Sequence, residues 1–188
     1  MTKNQSFMCY AKQMLAGNWG SAALGTLIYL IIMGALSCSY VGELILYGPL
    51  TLGYVLFIIG LCGRRQPNYE TLFSGFNNFV QALVAGLLYS LAVSVGMAFL
   101  VVPGIIIALG FGMTFFIMAE HPNISGVDAL QMSWRMMEGH KWELFCLNFR
   151  FIGWWCLCIL TLGIGFFWFY PYVVTANLNF YRNLRYAR

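Results

Sequence analysis

Charge is what this chain has least of. Asp, Glu, Lys and Arg make up 9% of its 188 residues, whereas soluble domains run at about 25%. That scarcity leaves no stretch from which a separate soluble domain could be built. Histidine is nearly missing as well, occurring only as His121 and His140. The six cysteines, Cys9, Cys38, Cys62, Cys146, Cys156 and Cys158, have no C-x-x-C spacing and no histidine pair nearby. A zinc site or a dithiol redox motif is therefore not expected, and the cysteines read as small, buried apolar side chains. H-E-x-x-H, G-x-S-x-G, the P-loop and G-x-G-x-x-G are all lacking. No catalytic residue, metal or cofactor is expected. Ten basic residues spread over four segments argue against a nucleic-acid partner.

What the chain has in plenty is apolar surface. Hydrophobic residues reach 61%, more than one core of this size can hide, so the surplus must face lipid. Gaps between charges locate the spans, each needing roughly 20 apolar residues. They run over about Trp19–Leu36, Leu44–Leu61, Phe79–Val102, Ile105–Ala119, Leu144–Leu162 and Phe166–Tyr181. Val101-Val102-Pro103-Gly104 breaks the long middle gap. Gly163-Ile164-Gly165 joins the last two spans, and Pro171 predicts a kink in the sixth. Lys3, Lys12, Arg64, Arg65, Arg135, Lys141, Arg182, Arg185 and Arg188 all fall on one side of this scheme. The opposite connections hold no Lys or Arg. The positive-inside rule then makes both termini cytoplasmic. The expected fold is an all-α integral membrane bundle of six transmembrane helices, one domain over residues 1–188.

Ala35-Leu36-Ser37-Cys38 loosely resembles a lipoprotein cleavage site, but the apolar run before it exceeds the about 7–15 residues of a signal peptide core. Asn123-Ile124-Ser125 matches a glycosylation pattern on the cytoplasmic side, where it has no meaning. Three stretches share a form: Leu15-Ala16-Gly17-Asn18-Trp19, Phe73-Ser74-Gly75-Phe76, and Met137-Glu138-Gly139-His140-Lys141-Trp142. Their glycines lie about a third of the chain apart. Each follows an amphipathic segment and precedes a two-span hairpin. The pattern suggests three repeats, over residues 1–62, 63–122 and 123–188; the other reading is that Gly and aromatics simply mark interface turns. The third segment is the best defined. Ser125-x-x-Asp128 predicts a capping box, and Val127, Leu130, Trp134 and Met137 an apolar stripe. Such a helix lies in the headgroup plane or folds over the bundle end.

Small residues recur every four positions at Ala82, Gly86, Ser90, Ser94 and Ala98, at Gly17, Ser21 and Gly25, and at Gly104, Ala108 and Gly112. They predict close helix packing, inside one bundle or between copies in a homo-oligomer. Arg150 lies about two turns into the fifth span. At mid-membrane an arginine costs roughly 2.5–3.5 kcal/mol on insertion scales. It either snorkels to the headgroups or pairs inside with Glu143 or Glu120. With Arg135, Glu138, His140 and Lys141 these would form a charged cluster at the inner mouth, where a lipid phosphate could bind. Trp154 and Trp155 fall away from the usual interface position. They pack on a neighbouring helix or line a cavity, with Asn148, Asn177 and Asn179 as polar partners.

Several of these stretches resemble a family. Gly48-Pro49-Leu50-Thr51-Leu52-Gly53-Tyr54, Leu72-Phe73-Ser74-Gly75-Phe76, Pro103-Gly104-Ile105-Ile106, Met136-Met137-Glu138-Gly139-His140-Lys141-Trp142, Phe151-Ile152-Gly153-Trp154-Trp155 and Pro171-Tyr172 are similar, in order and spacing, to the bacterial integral membrane family called domain of unknown function 975. The resemblance covers about residues 10–182. It departs at Gly63-Arg64-Arg65-Gln66-Pro67, which is basic where the family pattern carries an acid. The resemblance implies a multi-span membrane protein with no established activity. Its distant similarity to membrane domains of glycerophosphodiesterases implies a lipid setting. The expected function is a membrane-embedded accessory protein that binds lipids or another membrane protein. A small-molecule transporter or channel component is the alternative, and an intramembrane enzyme the least supported.

Overall fold

A computed structural model describes residues 3–36, 40–63, 68–160 and 165–186. Ser37, Cys38, Arg64, Arg65, Gly163, Ile164 and Arg188 lie outside them, as does the side chain of Cys156. Every element among the described residues is helical. In chain order these are α1 (Lys3–Leu15), α2 (Trp19–Leu36), α3 (Tyr40–Cys62), a 3₁₀ segment (Tyr69–Asn78), α4 (Phe79–Phe99), α5 (Val101–Phe111), α6 (Thr114–Glu120), α7 (Gly126–Met136), α8 (Lys141–Leu160) and α9 (Phe166–Tyr186). Four stretches are long and apolar enough to cross a membrane: Trp19–Leu36, Leu44–Cys62, Tyr69–Phe99 and Val101–Glu120. α8 and α9 have 20 and 21 residues, with charges at Lys141, Glu143 and Arg150 in the one and at Arg182 and Arg185 in the other.

α3 is the hub. Its span is 56% buried, against 22% for those of α2 and α4. It packs against α1, α2, the 3₁₀ segment, α4, α6 and α9. Tyr54, Phe57 and Ile58 of α3 are almost fully buried together with Leu178, Phe180 and Tyr181 of α9. Glycine makes the hub possible. A Cβ at Gly48 would overlap the Ala82 carbonyl oxygen, and one at Gly86 would sit 2.8 Å from the Gly48 Cα. Likewise a Cβ at Gly53 would overlap the Leu72 carbonyl oxygen, and one at Gly75 the Pro49 carbonyl oxygen. α3 therefore crosses α4 and the 3₁₀ segment backbone to backbone, which side chains of any size would prevent. Of the stripe on α4, only Ala82 and Gly86 serve this contact. Ser94 and Ala98 point outward, and Gly96 instead takes the buried position, against Gly104.

The expected break at residues 101–104 falls one turn earlier. Leu100 is extended and ends α4, and Val101 and Val102 already belong to α5. Pro103 is the third residue of α5, where its missing N–H would have had no helical partner. A second, unexpected break separates α5 from α6 at Gly112–Met113. Ser133 of α7 repairs it. Its hydroxyl donates to the Gly110 carbonyl at 2.8 Å and accepts from the Met113 N–H at 3.2 Å. Gly110 admits the Trp134 ring, which a Cβ would meet at 2.5 Å. Pro171 stands inside α9, whose helical assignment continues through it.

α7 folds back over α4, α5 and α6. Its buried face is Gly126, Ala129, Leu130, Ser133 and Met136, rotated from the expected stripe, so that Val127 is exposed. The capping box does not form. Ser125 makes no side-chain cap, and the first N–H of the helix, from Gly126, donates to Gln81 Oε1 of α4 at 3.0 Å. Asn78 adds a second tie, from its Nδ2 to the Pro122 carbonyl at 2.7 Å. Tertiary acceptors have replaced the local one. Gly17 and Gly139, after α1 and α7, adopt φ values of +93° and +80° with open space around them, the left-handed turn that ends a helix. Gly75 is needed for close contact instead. The cysteines differ from expectation too: Cys158 is buried, Cys62 and Cys146 are half-buried, and Cys9 is exposed.

Two outcomes follow for purified protein in detergent. Gly53→Ala is expected to cost about 3 kcal/mol or more through overlap with the 3₁₀ segment, read as loss of monodisperse protein. Gly60→Ala, on the same helix in open space, is expected to leave the melting temperature unchanged or raise it. Ser133→Ala strips partners from two backbone groups at the α5–α6 break. Its melting curve is expected to report a loss of about 1–3 kcal/mol.

Candidate functional site

The bundle holds a cavity of about 550 Å³ between α3, α4, α5, α6, α8 and α9. Tyr47, Thr51 and Tyr54 line it from α3, Tyr89 from α4, Asn148 from α8, and Tyr170 and Asn177 from α9. The remaining wall is aliphatic or aromatic, and no charged side chain among the described residues lines it. Met97 of α4 and Phe149 and Ile152 of α8 form an exposed apolar rim. The cavity therefore opens sideways, onto the surface that composition assigns to lipid.

Hydrogen bonding divides the lining into spent and available groups. Thr51 donates to the Tyr47 carbonyl at 2.6 Å. Thr26 donates its hydroxyl hydrogen to the Ala22 carbonyl at 2.8 Å. Its 2.9 Å contact with Tyr54 must then carry the hydrogen of Tyr54. Asn177 Oδ1 is different, being buried without a hydrogen-bond partner. An orphaned amide oxygen of this kind is costly, and Asn177 belongs to the cavity wall. The aromatic walls are packed. Tyr54 and Tyr170 stand 5.2 Å apart, Tyr29 lies 4.8 and 5.7 Å from them, and Phe115 meets Tyr47 and Tyr89 edge-on at 6.1 and 6.3 Å.

Residues 92–188, just over half of the chain, match the model of a family described as Protein of unknown function (DUF975). The chain belongs to this family. No curated protein and no solved structure matches it. The DUF975 match begins at residue 92, later than the resemblance seen in the motifs. It takes in α5 to α9 and leaves the α3 wall and Tyr89 outside.

The charged residues that the sequence groups at one mouth have several different partners. Glu120, at the end of α6, accepts from the Tyr181 hydroxyl at 2.7 Å and pairs with Arg185, clasping α9. His140 Nδ1 lies 3.7 Å from Glu143 Oε2, an ion pair when the imidazole is protonated. Lys141 sits over the Trp134 ring, 3.4 Å from its centroid, a cation–π contact. Arg135 and Glu138 are exposed on and just after α7. Arg150 is exposed on α8 with no ion pair among the described residues. Its neighbour Phe151 packs against Tyr172 at 5.7 Å, and Tyr172 lies 6.5 Å from Trp19, the first residue of α2.

Of the residues expected around a cavity, Asn148 and Asn177 line this one. Trp154 lines a separate groove with Lys12. Trp155 packs against Phe166 and Phe169 at 5.1 and 6.0 Å. Asn179 is buried with an unpartnered Nδ2. The tyrosines were missed, although Tyr47 and Tyr54, seven residues apart on one helical face, carry the signal. Since Arg150 faces outward, Arg150→Leu is expected to keep its yield and to melt within about 0.5 kcal/mol of the parent. Thermal unfolding in detergent checks this.

Proposed function

We propose that this DUF975 protein is a six-span protein of a bacterial inner membrane, with both termini cytoplasmic, that binds an uncharged amphiphile in its tyrosine- and asparagine-lined cavity. The positive residues on one side of the spans support the orientation. Three successions of a short helix and two long ones, α5 and α6 together forming one of the long ones, support three repeating units. α8 and α9 complete the six spans.

One observation carries the binding reading: a buried, unpartnered Asn177 Oδ1 in the wall of a charge-free, sideways-opening cavity. The volume lies within the about 300–1,000 Å³ of ordinary ligand sites. It suits one fatty chain with a small, hydrogen-bond-donating head, and is too small for a two-chain phospholipid. The polar groups of the wall among the described residues are tyrosine, threonine and asparagine side chains, which favours a binding role. Presentation of the amphiphile to another membrane protein is the accessory function that fits.

Gentle purification from native membranes followed by native mass spectrometry tests this. The parent is expected to retain one uncharged amphiphile per chain, and Asn177→Leu to lose it at least tenfold while still folding. A parent carrying no such molecule, or equal retention by Asn177→Leu, overturns the reading. Flux of the same amphiphile between liposome leaflets would move the protein to the transporter class.

A further inference from the structure

A second groove lies on the outside of the bundle, away from the cavity, where α1, α2, α8 and α9 meet. It encloses about 390 Å³ and is lined by Trp19, Trp154, Trp168, Phe169, Tyr172 and Cys158, with Lys12 as its one charged lining residue. Trp154 and Trp168 are 55% and 50% exposed, far more than packing inside the bundle would leave them. Tyr172 is anchored, its hydroxyl donating to the Met8 carbonyl of α1 at 3.3 Å. The aromatic floor is therefore built by tertiary contact between the first and last helices.

Two cations flank this floor. Lys12 is exposed and lies on the turn of α1 that leads into Trp19. Arg150 is one helical turn from Trp154 and shares its face of α8. Both are exposed, and neither makes an ion pair among the described residues. Lys12 lines the groove itself, and Phe151, the residue after Arg150, packs against the groove residue Tyr172. Indoles together with ammonium or guanidinium groups are what a headgroup boundary selects. A lone cation there would be satisfied by water. Two beside an apolar channel suit a ligand with an anionic head and a long apolar tail, since phosphate oxygens accept charge-assisted hydrogen bonds from both cation types. Two other basic residues are engaged differently: Lys141 stacks on Trp134 and Arg185 pairs with Glu120.

We infer that this groove is a specific site for an anionic phospholipid, its phosphate held between Lys12 and Arg150 and one acyl chain laid over Trp154 and Trp168. Zwitterionic phospholipids carry the same phosphate with a compensating amine, so the site discriminates through net charge. The inference stands apart from the amphiphile cavity, which shares no lining residue with the groove.

The test uses the full chain in nanodiscs of equal phosphatidylglycerol and phosphatidylethanolamine, released into native mass spectrometry. The parent is expected to retain one phosphatidylglycerol per chain in at least fivefold preference. Lys12→Gln with Arg150→Gln is expected to lower that retention at least tenfold, and Lys12→Arg with Arg150→Lys to restore it. Asn177→Leu is expected to leave it unchanged, which separates this site from the cavity. Equal retention of the two lipids by the parent, or undiminished retention by the double glutamine variant, overturns the inference, as does displacement by millimolar inorganic phosphate. Should the double variant not fold, the parent alone decides. Acyl-brominated phosphatidylglycerol is expected to quench its tryptophan fluorescence more than brominated phosphatidylethanolamine at the same mole fraction, and equal quenching overturns the inference.

Discussion

The backbone of α3 lies directly against the backbones of α4 and the 3₁₀ segment, and the rest of the bundle is arranged around that contact. In a lipid solvent, apolar side chains gain little from leaving lipid for one another, so association rests on close van der Waals approach and hydrogen bonds. Gly48, Gly53, Gly75 and Gly86 supply the approach. With α3 held this way, its opposite face carries Tyr54 and Phe57 toward α2 and α9. The close crossing also explains the unusually long 3₁₀ run. Its course follows the surface of α3 to which it is pressed, so its conformation is a product of packing more than of local preference.

Polar groups then complete what glycine begins. Ser133 closes the α5–α6 break, Gln81 caps α7 and Glu120 holds Tyr181 and Arg185. All of these are long-range contacts, and the first two supply partners that helix ends and breaks lack. α7 is consequently a structural brace over the end of α4, α5 and α6. Its amphipathic character serves protein burial on one side and an exposed polar face on the other, with Trp134 pinned between Gly110 and Lys141.

The two concave features divide along the same lines. Inside, no charged side chain among the described residues lines the tyrosine-rich cavity, and Asn177 of its wall has an unpartnered Oδ1. Outside, the tryptophan groove has cations at its edge and open indole faces. Both have the polarity gradient that an amphiphile matches.

The helical architecture was legible in the chain because charge is so sparse: its gaps mark the apolar helices, and α2 begins and ends where they indicate. Gly17 and Gly139 were legible as turn markers because their left-handed backbone is a local requirement. What no reading along the chain could settle is pairing. Glu120 meets Arg185 and not Arg150, Ser133 finds the Gly112–Met113 break, and Gln81 displaces Ser125 as a cap, because each partner lies on another helix and helical period carries no information about it. The cavity likewise combines single residues from six helices. Composition and charge order determined that this is a membrane-type helical chain. Only the tertiary structure decided which polar groups are spent on packing and which, like Asn177 Oδ1, are left without a hydrogen-bond partner. The physical reason is that hydrogen bonds and ion pairs are satisfied in space, whereas apolar runs are counted along the chain.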